Sequence, residues 1–171
     1  GVNDQIQWSG EMYIQGTDDP QYEIRDDEVR LQNIYLTATK EDAWSWTGGY
    51  FSERYTQYTM NSVLLGLNGW MRLNEDVRFR AFGGRANRAR PQSKLRRFAG
   101  GARVEYTPAE NHMFGVNYVQ TEDDDDSLEG SELNGVDTFS NSVTSIDYEG
   151  ELEQYDLNLS GEVARSDFDS E

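Results

Sequence analysis

The feature that most restricts this chain is the rhythm of its connections. Nine stretches read as strands, and in seven of them one face is clearly apolar with period 2, the mark of side chains that point to opposite faces. They cover roughly residues 5–15, 28–39, 43–52, 62–74, 77–87, 96–106, 112–121, 142–152 and 155–165. In the fourth, "SVLLGLNGWMRLN", Val63, Leu65, Leu67, Gly69, Met71 and Leu73 oppose Ser62, Leu64, Gly66, Asn68, Trp70 and Arg72. In the second, Ile34, Leu36 and Ala38 lie on one side and Val29, Leu31 and Tyr35 on the other. A bulge near Asn33 would reconcile the two sets.

Four connections are short: Lys40–Asp42, Asn74–Asp76, Thr107–Asn111 and Glu153–Gln154. The other four are long and polar: Gly16–Asp27, Phe51–Asn61, Arg88–Leu95 and Glu122–Asn141. Short and long follow each other without exception, and no helical pattern intervenes. The fold class expected is therefore all-β, an up-and-down antiparallel meander. A Greek-key sandwich gives no reason for such sorting, whereas transmembrane barrels join strands by short turns on one side and longer loops on the other. Stretches near ten residues match the roughly 9–11 that cross a bilayer at a tilt. Trp44, Trp46, Tyr106 and Tyr155 fall at the short-turn ends of apolar faces, where interface-seeking rings collect. In a soluble sheet the same rings would be core.

Composition narrows the partners. Only 36% of the 171 residues are hydrophobic, yet 12% are aromatic and sixteen are glycine. Ten Tyr, four Trp and sustained periodicity argue for order. A net charge of −17 repels phosphates and excludes nucleic acid as a general partner. Without cysteine there is neither a disulfide framework nor a thiolate metal site. No apolar run of about 18 residues supplies a transmembrane helix.

Two segments, "RRFAGGARVEYTPAENHMFGVNYVQTEDD" and "YDLNLSGEVARSDFD", resemble strand–turn–strand units of Gram-negative outer-membrane β-barrel proteins of the porin type. The resemblance extends over nearly the whole chain and lies in pattern, not in a diagnostic motif. It implies a single barrel domain over 1–171 in the outer membrane, contacts with lipid and lipopolysaccharide, and passive or selective transport of small solutes. Two departures stand out. Asp167–Glu171 lacks the terminal aromatic usual in that class, and nine is odd where bacterial single-chain barrels are even. An odd count sends the first and last strands the same way, so either the chain is a piece of a larger barrel or the strand count is off by one.

Ten of the fifteen basic residues lie between Arg72 and Arg103. By parity, Arg72, Arg78, Arg80, Arg97 and Arg103 share the non-lipid face of three neighbouring strands, a basic ladder on a lumen wall. Glu11, Glu105, Glu149, Glu151 and Glu162 take the same face, mostly on other strands. Opposed rows of charge would orient charged solutes; ordinary cross-strand ion pairs on a wet wall are the plainer alternative. "RARPQSKLRR", with Arg88, Arg90, Lys94 and Arg96, offers a basic loop to phosphates. Glu122 begins an acidic run with Asp123, Asp124, Asp125 and Asp126, a candidate Ca²⁺ site that lacks spaced ligand positions. Asp18, Asp19, Asp26 and Asp27 add external negative charge. His112 beside a short turn reads as solvated, and no phosphate loop, zinc spacing or nucleophile motif suggests an enzyme. Two other functions fit the pattern: a non-transporting barrel that anchors or secretes a partner protein, and a soluble sheet that binds glycans through exposed Trp and Tyr.

Overall fold

The computed structural model describes residues 5–16, 29–54, 61–86, 96–124 and 138–170. Within them the alternating stretches become β1 (Gln7–Gly16), β2 (Val29–Lys40), β3 (Trp44–Arg54), β4 (Asn61–Arg72), β5 (Val77–Ala86), β6 (Arg96–Ala109), β7 (His112–Asp124), β8 (Phe139–Leu152) and β9 (Leu157–Ser170). They form one nine-stranded sheet in chain order. Every neighbouring pair is antiparallel. The fold is an all-β antiparallel meander, left open between β1 and β9 among the described residues.

Several boundaries differ from the sequence expectation. β7, β8 and β9 extend toward the long connections, reaching Asp124, Phe139 and Ser170. Backbone pairing continues there after hydrophobic alternation has stopped, because the ladder needs no apolar side chain. β4 ends early, at Arg72. Beyond it, Asn74 Oδ1 accepts the N–H groups of Asp76 (2.9 Å) and Val77 (2.8 Å), a side-chain-closed turn. One helical turn, Glu153–Tyr155, does interrupt the β8–β9 connection, so Tyr155 lies in the turn and outside β9. Near Asn33 the β1–β2 register shifts, since Tyr13 pairs Asn33 while Ile14 pairs Leu31, leaving Gln32 as the extra residue. A second shift lies between Tyr106 and Ala109, where Pro108 has no N–H to give the ladder.

The short turns are laced together. Arg72 N–H donates to Ala43 O (2.7 Å), Thr107 N–H to Asp76 O (2.8 Å) and Glu151 N–H to Asn111 O (2.9 Å). The Asn111 side-chain amide also donates to the Glu153 carboxylate.

Burial divides the two faces in an unusual sense. On β7, Val116 is 52% exposed while its neighbour Asn117 is 1% exposed. The same holds on β6, where Val104 is exposed beside buried Arg103 and Glu105, and on β8, where Ile146 is exposed beside buried Ser145 and Asp147. The exposed, outer face is apolar and the buried, inner face mainly polar, the reverse of a sheet whose apolar side packs on a core. Trp8, Met12, Leu36, Val63, Leu67 and Leu73 are exposed in the same way.

The outer apolar band crosses the sheet obliquely. One unbroken pairing row runs Gly10, Leu36, Gly48, Leu67, Gly83, Gly100, Gln120, Ser142, Asp167. It begins in the middle of the β1 apolar run and ends on a carboxylate. On β9 the apolar run is Leu157, Leu159, Gly161 and Val163, about seven residues nearer the short turns, or roughly 23 Å at about 3.3 Å per residue. Set against about 38 Å across eight strand spacings, the band slopes by about 30°.

Candidate functional site

The inner face of β4–β8 is organised around Arg103. Its Nε donates to Glu105 Oε1 (2.9 Å), its Nη1 to Asp147 Oδ2 (2.7 Å) and Asn117 Oδ1 (2.7 Å), and its Nη2 to Asp147 Oδ1 (2.8 Å). Arg103 stands on β6 and Asp147 on β8, so the pair spans β7. Gly115 of β7 makes the crossing possible: a Cβ there would lie 2.6 Å from the guanidinium carbon and 2.4 Å from Asp147 Oδ2. Asn117 Nδ2 donates to Asp147 Oδ2 (2.6 Å) and Ser145 Oγ (3.1 Å). A planar fork on a carboxylate, with Nε and the second Nη1 hydrogen also donated, is the arrangement in which a buried charge pair is tolerated.

The other arginines stand around this hub. Arg78 and Arg80 approach Glu105 at 3.7 Å and 3.5 Å, with side chains 44% and 34% exposed. Arg78 also lies 4.9 Å above the Trp70 ring, within cation–π range. Arg97, nearer the long connections, binds Asp123 in a fork (2.7 and 3.1 Å) and lies 4.0 Å over the Phe139 ring. Arg72 is exposed and pairs in register with Arg78.

The structure therefore brings Arg78, Arg80, Arg103 and Glu105 together on the inner face. Glu105, the one candidate acid on a strand of the arginine ladder, stands two residues from Arg103 on the same face, inside the arginine group. Glu11 is away on exposed β1, where it accepts the Tyr35 hydroxyl (3.0 Å). Glu162 stands opposite Asp147, and its Oε1 is buried without a hydrogen-bond partner. Glu149 and Glu151 are exposed.

The acidic run is not one cluster in its described part. Glu122, Asp123 and Asp124 continue β7, and strand alternation puts Asp123 on the inner face with Arg97 and the other two on the outer face. Asp125 and Asp126 lie outside the described residues, as do Arg88, Arg90, Lys94, Asp18, Asp19, Asp26 and Asp27. Among the described residues no group of three or more His, Cys, Asp or Glu is placed to hold a metal ion. His112 is half-buried, and its Nδ1 shares a hydrogen bond with the Tyr148 hydroxyl (2.8 Å). Phe114 packs on Tyr148 with ring centroids 5.0 Å apart.

A second inner group escaped the sequence reading. Phe51, Leu64, Phe82, Ala99 and Val119 form a buried apolar cluster with Ala86 packed against it, and Val143 is Val119's register partner. Leu64 is 0% exposed. The signal was present as exceptions: Leu64, Phe82 and Val119 each interrupt the polar face of their strand. Asp147, Asn117 and Ser145 were missed for a different reason, since parity gives a face but not a register.

Among the described residues no helix is long and apolar enough to cross a membrane, a statement that does not bear on strands. No family model, curated protein or solved structure matches the chain.

Proposed function

We propose that the chain forms part of the wall of an outer-membrane β-barrel of the porin type, through whose wet interior small solutes pass. The observation that carries this reading is the inverted face: the same strands expose Val104, Val116 and Ile146 and bury Arg103, Asn117 and Asp147. Exposed apolar area on that scale is unfavourable in water and favourable in hydrocarbon. The slope of the apolar band lends further support. In a barrel whose strands tilt by about 35–45°, a level slab of lipid crosses the pairing rows at that angle, close to the band's slope of about 30°. Arg96, Glu122, Asp124, Arg165 and Asp167 stand on the outer face toward the long connections, at the height of lipid and lipopolysaccharide headgroups. In lipid, bare strand edges at β1 and β9 would leave backbone groups unsatisfied. Further strands close the ring, and because β1 and β9 run the same way an antiparallel closure needs an odd number of them.

Planar-bilayer conductance of the complete protein tests the reading, with Arg78→Glu against the parent. A shift of ion preference toward cations is expected; an unchanged preference removes Arg78 from solute selection. A second reading, a barrel that anchors or secretes a partner protein, draws on the mutual satisfaction of Arg103, Glu105, Asn117 and Asp147. Correctly inserted protein that conducts nothing would favour it. A chain that folds in water without detergent would favour the glycan-binding sheet.

A further inference from the structure

We infer that the inner apolar cluster is the permeability barrier of the pore, a belt that excludes small hydrated ions and admits organic anions with an apolar body. The inference rests on the pore reading and names the solute class for it.

The belt keeps one level across the sheet. Phe51 adjoins Tyr50, Leu64 adjoins Val63, Ala99 adjoins Phe98 and Val119 adjoins Tyr118 along their strands. On the outer face Tyr50, Phe98 and Tyr118 are the last apolar residues before Ser52, Arg96 and Gln120, and Val63 is the last of its strand among those whose side chains are described. Phe82 likewise adjoins Gly83, after which Arg85 follows on the outer face. The inner belt thus tracks the upper rim of the outer band over β3–β7, dropping from the row of Phe51 and Leu64 to the row that Phe82 shares, through Gly101, with Val119 and Val143. Phe51 and Leu64 share a row that reaches β5 at Ala86, four residues from Phe82. A set that steps with the rim of the outer band from one pairing row to a lower one lies at one level of the barrel wall.

Charge flanks the ring on both sides. Toward the long connections stands the Arg97–Asp123 pair; toward the short turns stand Arg103, Glu105, Asp147 and the part-exposed Arg78 and Arg80. An apolar constriction sheds water, so a small ion would have to lose its hydration to pass. An organic anion bears the same cost at its carboxylate but offsets it by burying its apolar body against the belt, and the carboxylate meets guanidinium groups on both sides.

The test is conductance of the complete protein in planar bilayers in KCl and in potassium benzoate, comparing the parent with Phe82→Ser and with the isosteric Val119→Thr. Phe82→Leu is the control that keeps the belt apolar, and gel mobility with and without heating verifies folding. The expected result is a several-fold rise in KCl conductance and a fall in the benzoate-to-chloride permeability ratio for both polar variants, with Phe82→Leu like the parent. A conducting parent whose permeabilities neither polar variant alters overturns the belt and leaves the pore standing. Folded, inserted protein that conducts neither salt in any form overturns the pore itself.

Discussion

The middle and the edges of the sheet carry the same alternation and meet different surroundings. On β6–β8 inner residues such as Arg103, Asn117 and Ser145 are buried. On β1 every side chain from Gln5 to Ile14 is exposed on both faces, and on β9 Glu162 is the one exception between Leu157 and Asp169. Alternation assigns a face; burial requires strands on both sides whose side chains reach across. Arg103 reaches Asp147 over β7, and an edge strand has no second neighbour to reach over.

The largest expected effect breaks that contrast at its centre. Arg103→Ala strands Asp147 without its cation, takes from Glu105 its nearest one and should lower stability by about 3–5 kcal/mol, whereas Glu11→Gln on β1 should stay within about 0.5 kcal/mol. Urea unfolding of the complete protein in vesicles measures both. Equal losses would mean that burial in the middle contributes nothing special. Next comes the outer face: Val116→Lys should cost about 2–4 kcal/mol in lipid. The same substitution on a water-facing strand would cost about 0.5 kcal/mol or less, so a small loss would place β7 in water. A smaller effect compares two glycines. Gly115→Ala, pressed between Arg103 and Asp147, should lose about 1–3 kcal/mol. Gly161→Ala on β9 meets nothing within 4 Å and should gain up to about 1 kcal/mol. Matching values would remove the close crossing over β7. The smallest is Tyr148→Phe, which deletes the hydroxyl bonded to His112 and should cost about 1 kcal/mol, read from the same unfolding curves.

Strand positions and the sorting of connections were legible in the sequence because both depend on local periodicity and turn chemistry. The face of Arg103 was legible for the same reason. Its partner was not: Asp147 lies 44 residues away, and only the summed registers of β6–β7 and β7–β8 bring the two together. Glu105 was legible on the face of Arg103, since two residues apart on a strand is one face. Phe82 and Leu64 looked like lapses in a polar pattern, and became a belt once pairing placed them beside Val119 and Phe51. The helical turn at Glu153–Tyr155 left no trace in the pattern, because its one turn replaces a loop of nearly equal length and Asp156 closes it in the left-handed region (φ 48°).

Strictly sequential pairing, with each strand beside its predecessor and its successor, has an evolutionary side. A hairpin unit of two adjacent strands could be duplicated or lost and every remaining partnership would survive, with the ribbon still starting and finishing in the same direction. A wall of this kind can be widened or narrowed by whole hairpins without inventing a new topology.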